Sequence, residues 1–207
     1  MERTVELLYC DDSVLCCVKP VGLLSQSAPG GEPDLVQLLQ NQTGGNIYPI
    51  HRLDRAVGGV MVFARTAQAA AALNRQIADR TLEKHYVAQI HGVMEPPQGM
   101  LEDLLFKDAR TNKVFVVARP RKGVRDARLY YETEQSDGET SRVAILLDTG
   151  RTHQIRVQFA SRKHPLLGDR RYGAKDGEEQ LCLWSRSVVF RHPETGRILT
   201  FSAKEPF

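Results

Sequence analysis

Apolar and polar residues alternate with a period of two along much of this chain, and that pattern predicts strands. Residues 5–9 and 14–18 read as two strands around a turn at Asp11, Asp12 and Ser13. The second is apolar on both faces and so interior. Pro20 ends it, since proline cannot donate to a central ladder. A Gly/Pro loop spans Pro29 to Pro33. Further strands are predicted over 60–64, over 84–91 with Tyr86, Ala88 and Ile90 alternating, and over 114–118. Residues 129–133 pair with 142–148 as an antiparallel hairpin across the Ser136-Asp137-Gly138 turn. Two last strands, 181–191 and 198–203, join through His192-Pro193-Glu194-Thr195-Gly196. Helical spacing is confined to three stretches. Residues 34–40 put Leu35, Leu38 and Leu39 on one face, with Pro33 at the start. Residues 67–80 follow Thr66 as a cap, with Ala70, Leu73 and Ile77 in register. Residues 153–161 follow Thr152 as a cap and carry Gln154, Arg156 and Gln158. Strands outnumber helices and their links are mostly hairpins, which predicts an α+β fold: a largely antiparallel mixed sheet flanked by a few helices and loops.

A chain of 207 residues with 42% hydrophobic content is expected to form one domain, 1–207, with an ample core. No run of 18 apolar residues is present, so no transmembrane helix is predicted. The first residues lack a basic start followed by an apolar stretch, so no secretory signal is predicted. Cys10, Cys16, Cys17 and Cys182 form no CxxC pair, and the histidines share no metal spacing. Reduced thiols and a cytoplasmic location are expected, with no metal. No GxGxxG or P-loop pattern occurs, so no nucleotide cofactor is expected. Charge changes the picture more than composition does. Residues 119–128 carry a local +4 and residues 151–175 a local +6, against +3 for the whole chain. The remainder is therefore acidic, and such concentrated positive charge is the footprint of a polyanion partner.

The densest candidate chemistry is His51-Arg52-Leu53-Asp54-Arg55, reached through Gly44-Gly45-Asn46 and followed by Gly58-Gly59 and an apolar run. Arginine cations beside a carboxylate favour its ionised form. An ionised, positioned carboxylate can be a nucleophile, a base or a metal ligand. Read alone, the stretch is equally compatible with a surface ion pair between Asp54 and Arg55 of little energetic weight.

Three stretches, HRLDRAVGGVMVFART (51–66), EKHYVAQIHG (83–92) and TGRTHQIRVQFASRKHPLLGDRRYG (149–173), stand with the earlier Lys19-Pro20-Val21-Gly22-Leu23-Leu24-Ser25. This ordered set resembles the RluA-type family of RNA pseudouridine synthases, from about Leu8 to the closing segment 201–207. The resemblance implies the pseudouridine synthase fold and an isomerase without a cofactor, acting on uridines in structured tRNA or rRNA. A monomer is the default expectation, with no membrane partner. The resemblance matches Asp54 to the family's catalytic aspartate and Arg52 to an arginine that enters the RNA beside the flipped base. Tyr86 matches an active-site tyrosine that stacks on uracil, and Arg156 an arginine that pairs with the aspartate. Arg55, Arg151 and His153 join Arg52 as substrate-binding candidates. The chain also resembles a catalytic domain without the N-terminal S4-type RNA-binding domain of many relatives.

Plainer readings of the same residues exist. Tyr86 could be a core tyrosine and Arg156 a phosphate ligand. His51 and His153 could be structural. Asp169 could cap or pair locally, and Lys19 could only shape the turn at Pro20. A non-catalytic RNA-binding protein on the same fold is the alternative function. Two departures from the family pattern stand out. Val57-Gly58-Gly59 replaces Thr-Ser-Gly, removing two hydroxyls whose hydrogen bonds need substitutes. Lys163 stands where the family often has a glycine, which would suit a left-handed helix cap.

Overall fold

A computed structural model of the chain describes residues 4–27 and 31–207. The part of the expected Gly/Pro loop at Pro29 and Gly30 lies outside them. Two compact units emerge: Met1–Lys84 with Trp184–Pro206, and His85–Leu183 with Phe207.

In the first unit, β1 (Glu6–Cys10) and β2 (Val14–Lys19) form an antiparallel hairpin. Its turn is built by Asp11, whose Oδ1 accepts from the amides of Ser13 at 2.9 Å and Val14 at 2.8 Å. On its other side β2 pairs antiparallel with β4 (Gly58–Ala64), which is buried along its whole length. A two-residue strand, β3 (Tyr48–Pro49), also bonds β4. Further along, β4 runs parallel to β10 (Leu183–Arg191) at Trp184 and Ser185, and β11 (Ile198–Ser202) returns antiparallel on β10. A strand buried on both faces needs continuous apolar sequence, and Val60, Met61, Val62 and Phe63 supply it with no exposure at all.

Two helices cover this sheet. Helix α1 (Leu35–Thr43) opens at Asp34, whose carboxylate accepts from the Gln37 amide at 3.0 Å. Asp34 is thus the cap rather than the first helical residue. Helix α2 (Ala67–Ala78) opens at Thr66, whose hydroxyl accepts from the Ala69 amide at 3.1 Å, as the sequence predicts. Its Ala69 and Leu73 enter a core with Val14, Cys16, Val60, Val62, Val188 and Phe190. Each such large side chain contributes about 1.5–3 kcal/mol by leaving water.

The second unit is an antiparallel sheet in the order β5 (Glu83–His91), β9 (Thr140–Leu147), β8 (Val124–Ser136), β6 (Gln98–Asp108) and β7 (Lys113–Val117). Helix α3 (Gln154–Ser161) sets Val157 against Leu105, Val114 and Ala127. Its Phe159 meets Tyr131 edge to face at 5.8 Å.

Strand β6 has no counterpart in the sequence reading. The basic segment 119–128 runs into β8, which begins at Val124 and includes Arg128. Thr152 does not cap α3. The cap position is His153, at φ 51° and with no side-chain capping bond. Instead Gln154 folds back, its Oε1 accepting from the Arg151 amide at 3.1 Å and the Thr149 hydroxyl at 2.7 Å.

The far end of α3 follows the sequence. Lys163 is left-handed at φ 68°. Its amide bonds Ala160 O at 3.0 Å and that of His164 bonds Phe159 O at 3.1 Å, the paired bonds of a Schellman cap. The fold is α+β, with largely antiparallel pairing and three α-helices among the described residues. None of these helices is long and apolar enough to cross a membrane.

Candidate active site

Asp54 sits in the short loop that enters β4, half-buried, and the segment Lys19–Ser25 fastens this loop from one side. Ser25 is buried. Its hydroxyl donates to the Leu53 carbonyl at 2.8 Å and accepts from the Leu53 amide at 3.1 Å. The Gly22 amide donates to the Arg55 carbonyl at 2.8 Å, and Arg55 Nε returns a bond to the Gly22 carbonyl at 3.0 Å. The Val57 amide donates to the Asp54 carbonyl at 3.0 Å and closes the turn.

Lys19 does more than shape a turn. Its side chain is fully buried, and Nζ donates to the carbonyls of Leu23 at 2.7 Å and Pro20 at 2.9 Å, with Arg55 at 3.5 Å. Burial pulls this ammonium down to about 8, and the Asp54 carboxylate opposes the fall. Lys19 is therefore a buried cation of the first unit whose charge acts on Asp54. Arg55 is exposed and turns to Glu32, 3.0 Å away. The simple pairing of Asp54 with Arg55 does not form. Arg52 is exposed.

His51 is a structural histidine. Its Nε2 accepts from the Val62 amide at 3.3 Å, which leaves the proton on Nδ1, and burial pulls its pKa down to about 3 with the Lys84 cation adding to the fall.

Gly58, which replaces the expected serine, and its neighbour Gly59 are dictated by packing. A Cβ on Gly58 would collide with the Trp184 ring and touch the Lys19 carbonyl at 3.0 Å. Gly59, at φ 116°, lies against the Ser185 backbone, where a Cβ has no room. A substitute hydroxyl comes from β10, where Ser185 Oγ donates to the Val60 carbonyl at 2.9 Å.

In the second unit Arg156 projects from α3 with its guanidinium 9% exposed. Nε and one terminal nitrogen donate to the two Asp169 oxygens, each at 2.7 Å, and Asp169 is 1% exposed. A bidentate pair of this kind fixes the fork in plane. Below it lies Tyr172, its ring centroid 5.2 Å from the guanidinium carbon. The Tyr172 hydroxyl meets His153 Nδ1 at 2.8 Å and accepts from the Val114 amide at 3.0 Å. Burial raises the Tyr172 pKa, while Val114 and Arg156 hold it back. Arg151 is exposed, and its Nε donates to the Asp126 carbonyl at 2.9 Å. Tyr86 lies in β5, 5% exposed and opposite Ile145 of β9.

The predicted residues thus divide between the units: Asp54, Arg52 and Arg55 in the first, Tyr86, Arg151, His153 and Arg156 in the second. Within the second, Tyr172 links Arg156 with His153. Sequence reasoning gave no site role to Ser25, Asp169 or Tyr172, reading Asp169 only as able to cap or pair locally. Only Asp169 carried a signal, as an acid beside two arginines in GDRRYG. Among the described residues no group of three His, Cys, Asp or Glu side chains is arranged to hold a metal ion.

Residues 13–161 match the family described as RNA pseudouridylate synthase. The chain is 32% identical over 219 aligned positions to the Dual-specificity RNA pseudouridine synthase RluA of Haemophilus influenzae, covering 100% of this chain and 96% of that one. It is 33% identical over 218 positions to the protein of the same name from Escherichia coli (strain K12), covering 100% and 95%. The solved structure titled Human RNA Pseudouridylate Synthase Domain Containing 4 superposes with a TM-score of 0.79 over 97% of this chain and 88% of that one. At 22% identity that likeness speaks for the fold.

Proposed function

We propose, from the premise that this chain belongs to the RNA pseudouridylate synthase family, that it isomerises uridine to pseudouridine in structured tRNA, rRNA or both. The observation that carries this is the Asp54 loop: one carboxylate, half-buried, at a turn whose flanking main chain is tied down on both sides. The names of the curated relatives, which specify dual specificity, favour more than one RNA target.

The chemistry breaks the N1–C1′ bond, turns the base and joins C5 to C1′. Nothing is oxidised and nothing is hydrolysed, so the reaction calls for no cofactor. Asp54 acts at C1′, either by attacking it or by taking a proton from the sugar as the base departs. Arg156, by its likeness to the family's arginine, opposes the cost of burying that carboxylate. A cation about 4 Å from a carboxylate supplies roughly 4 kcal/mol of gross attraction at an effective dielectric near 20. Asp169 and Tyr172 hold Arg156 ready for this. Tyr86 offers a flat face on which a freed uracil can turn. Arg52, exposed at the loop, fills the space left by the flipped base, whose unstacking costs a few kcal/mol. Arg55, Arg151 and His153 contact the RNA nearby. Exposed Arg119, Arg121, Lys122, Arg125, Arg170 and Arg171 bind phosphates of an A-form stem, read largely by shape. The protein works as a cytoplasmic monomer in one catalytic domain.

The test is tritium release from uridine-C5-labelled cellular RNA, since C5 must lose its hydrogen to become the glycosidic carbon. Release by the wild type, with and without chelator, and none by Asp54→Ala is the expected result. Tight RNA binding with no release would overturn the synthase reading in favour of a non-catalytic RNA-binding protein.

A further inference from the structure

The direction of the Asp54 side chain is fixed by two peptide planes, those that meet at its Cα. The plane after Asp54 is tied by main chain: its carbonyl accepts from the Val57 amide at 3.0 Å, and the next carbonyl, of Arg55, accepts from the Gly22 amide at 2.8 Å, with Lys19 Nζ at 3.5 Å. No substitution of a side chain removes these amide bonds directly. The plane before Asp54, between Leu53 and Asp54, is held by a side chain. Its carbonyl oxygen receives the Ser25 hydroxyl at 2.8 Å, and the same oxygen of Ser25 accepts the Leu53 amide at 3.1 Å.

Ser25 is 5% exposed, and the hydroxyl's remaining neighbour is Met61 Sδ at 3.7 Å. Its backbone is held in turn. Leu24 bridges Asp34, and the Leu24 carbonyl accepts the Leu35 amide at 2.9 Å at the start of α1. The hydroxyl therefore stands on a fixed support and does for Leu53 what a strand partner would do, giving one donor and one acceptor to a single residue. Without it, both polar groups of Leu53 would be left unpaired at a position 7% exposed. Buried main-chain groups of that kind seek new partners, so the loop would rotate about the bonds that aim Asp54.

We infer that Ser25 is a positioning residue for Asp54: through its paired bonds to Leu53 it sets the orientation of the carboxylate without touching the substrate. The inference rests on the synthase reading of Asp54. A misplacement of about 1 Å at a reacting group can cost up to about a hundredfold in rate.

The experiment compares wild type, Ser25→Ala and Ser25→Thr by single-turnover tritium release, RNA affinity, thermal melting and amide exchange. Ser25→Ala is expected to lower the single-turnover rate by at least about tenfold, with RNA affinity within about twofold of wild type and faster exchange at the Leu53 and Asp54 amides. Ser25→Thr keeps the hydroxyl and is expected to recover most of the rate. A Ser25→Ala enzyme with the wild-type rate, or with unchanged exchange at Leu53, would overturn the inference and leave the synthase reading intact. So would equal losses of rate in Ser25→Ala and Ser25→Thr that simply follow their melting temperatures. A wild type that released no tritium would overturn the synthase reading, and the inference with it.

Discussion

The loop that carries Asp54 is fastened at its own main-chain groups: the Gly22 and Val57 amides hold the Arg55 and Asp54 carbonyls, and the Ser25 hydroxyl holds Leu53. The Arg156 guanidinium is fastened through side chains, between the Asp169 carboxylate and the Tyr172 ring. The two arrangements fail differently. A main-chain fastening survives most substitutions but demands small residues where strands come close, as at Gly58 and Gly59. A side-chain fastening needs both partners, because the survivor of a broken buried pair keeps its desolvation cost.

The sharpest test of the contrast is Asp54→Ala. With the loop held by main chain, this variant should keep the wild-type urea midpoint while tritium release falls by at least about 10⁴-fold. A large loss of stability would show that the carboxylate itself holds the loop. In the second unit Asp169→Ala should behave oppositely and cost about 3–5 kcal/mol in urea unfolding, because the buried Arg156 cation loses its bidentate partner. A variant as stable as wild type would mean that the guanidinium finds another acceptor.

Lys19 tests the exception on the main-chain side, since it reaches the loop by a charged side chain. Its folded pKa, about 8, lies below its ordinary value of 10.5. Between those values the unfolded chain binds more protons, so this group makes stability rise with pH from about 8 to about 10.5. The difference in unfolding free energy between wild type and Lys19→Met should therefore widen in favour of the wild type over that window. A pH-independent difference would contradict the depressed pKa.

A hydroxyl at Gly58 probes the close approach directly. Gly58→Ser should cost about 1–3 kcal/mol by overpacking against the indole, and adding Trp184→Ala should recover part of that in the same urea titration. The smallest effect is expected at Lys163. Lys163→Gly relieves a left-handed conformation at the end of α3 and should gain about 0.5 kcal/mol by thermal melting, the strain relief outweighing the added freedom of the unfolded chain. A loss there would show that the lysine side chain makes a compensating contact.

What could be read from the sequence was mostly local. Thr66 announces α2 because its bond spans three residues, and Lys163 marks a left-handed turn because the helix must end before His164-Pro165. Strands β2 and β4 are legible as unbroken apolar runs. Strand β6 is not, because Leu101, Leu104 and Leu105 fall at helical spacing and only pairing with Tyr131, Leu129 and Arg125 on β8 makes the segment extended. At α3, His153 rather than Thr152 takes the cap position, in a left-handed conformation that no local signal marks, and Gln154 turns back to the Arg151 amide. Asp54 stood out in a recognisable motif. The groups that hold the candidate side chains did not, because each acts across a gap: Ser25 is 28 residues from Leu53, and Asp169 is 13 from Arg156. Lys19 gave no sign of burial, since nothing local marks a lysine whose ammonium will be surrounded by carbonyls.

The parallel pairing of β4 with β10 joins Gly58 and Gly59 to Trp184 and Ser185. During synthesis, at about 5–20 residues per second, β4 leaves the ribosome long before β10 exists. The second unit, nearly continuous in sequence, has all but its last residue by then. The Gly58–Gly59 end of the strand that follows Asp54 must wait for β10. A product cut short before β10, or a nick that removes it, would thus keep a nearly whole second unit while leaving the aspartate's strand unfinished, so that competence for the reaction arrives only once β10 has been made.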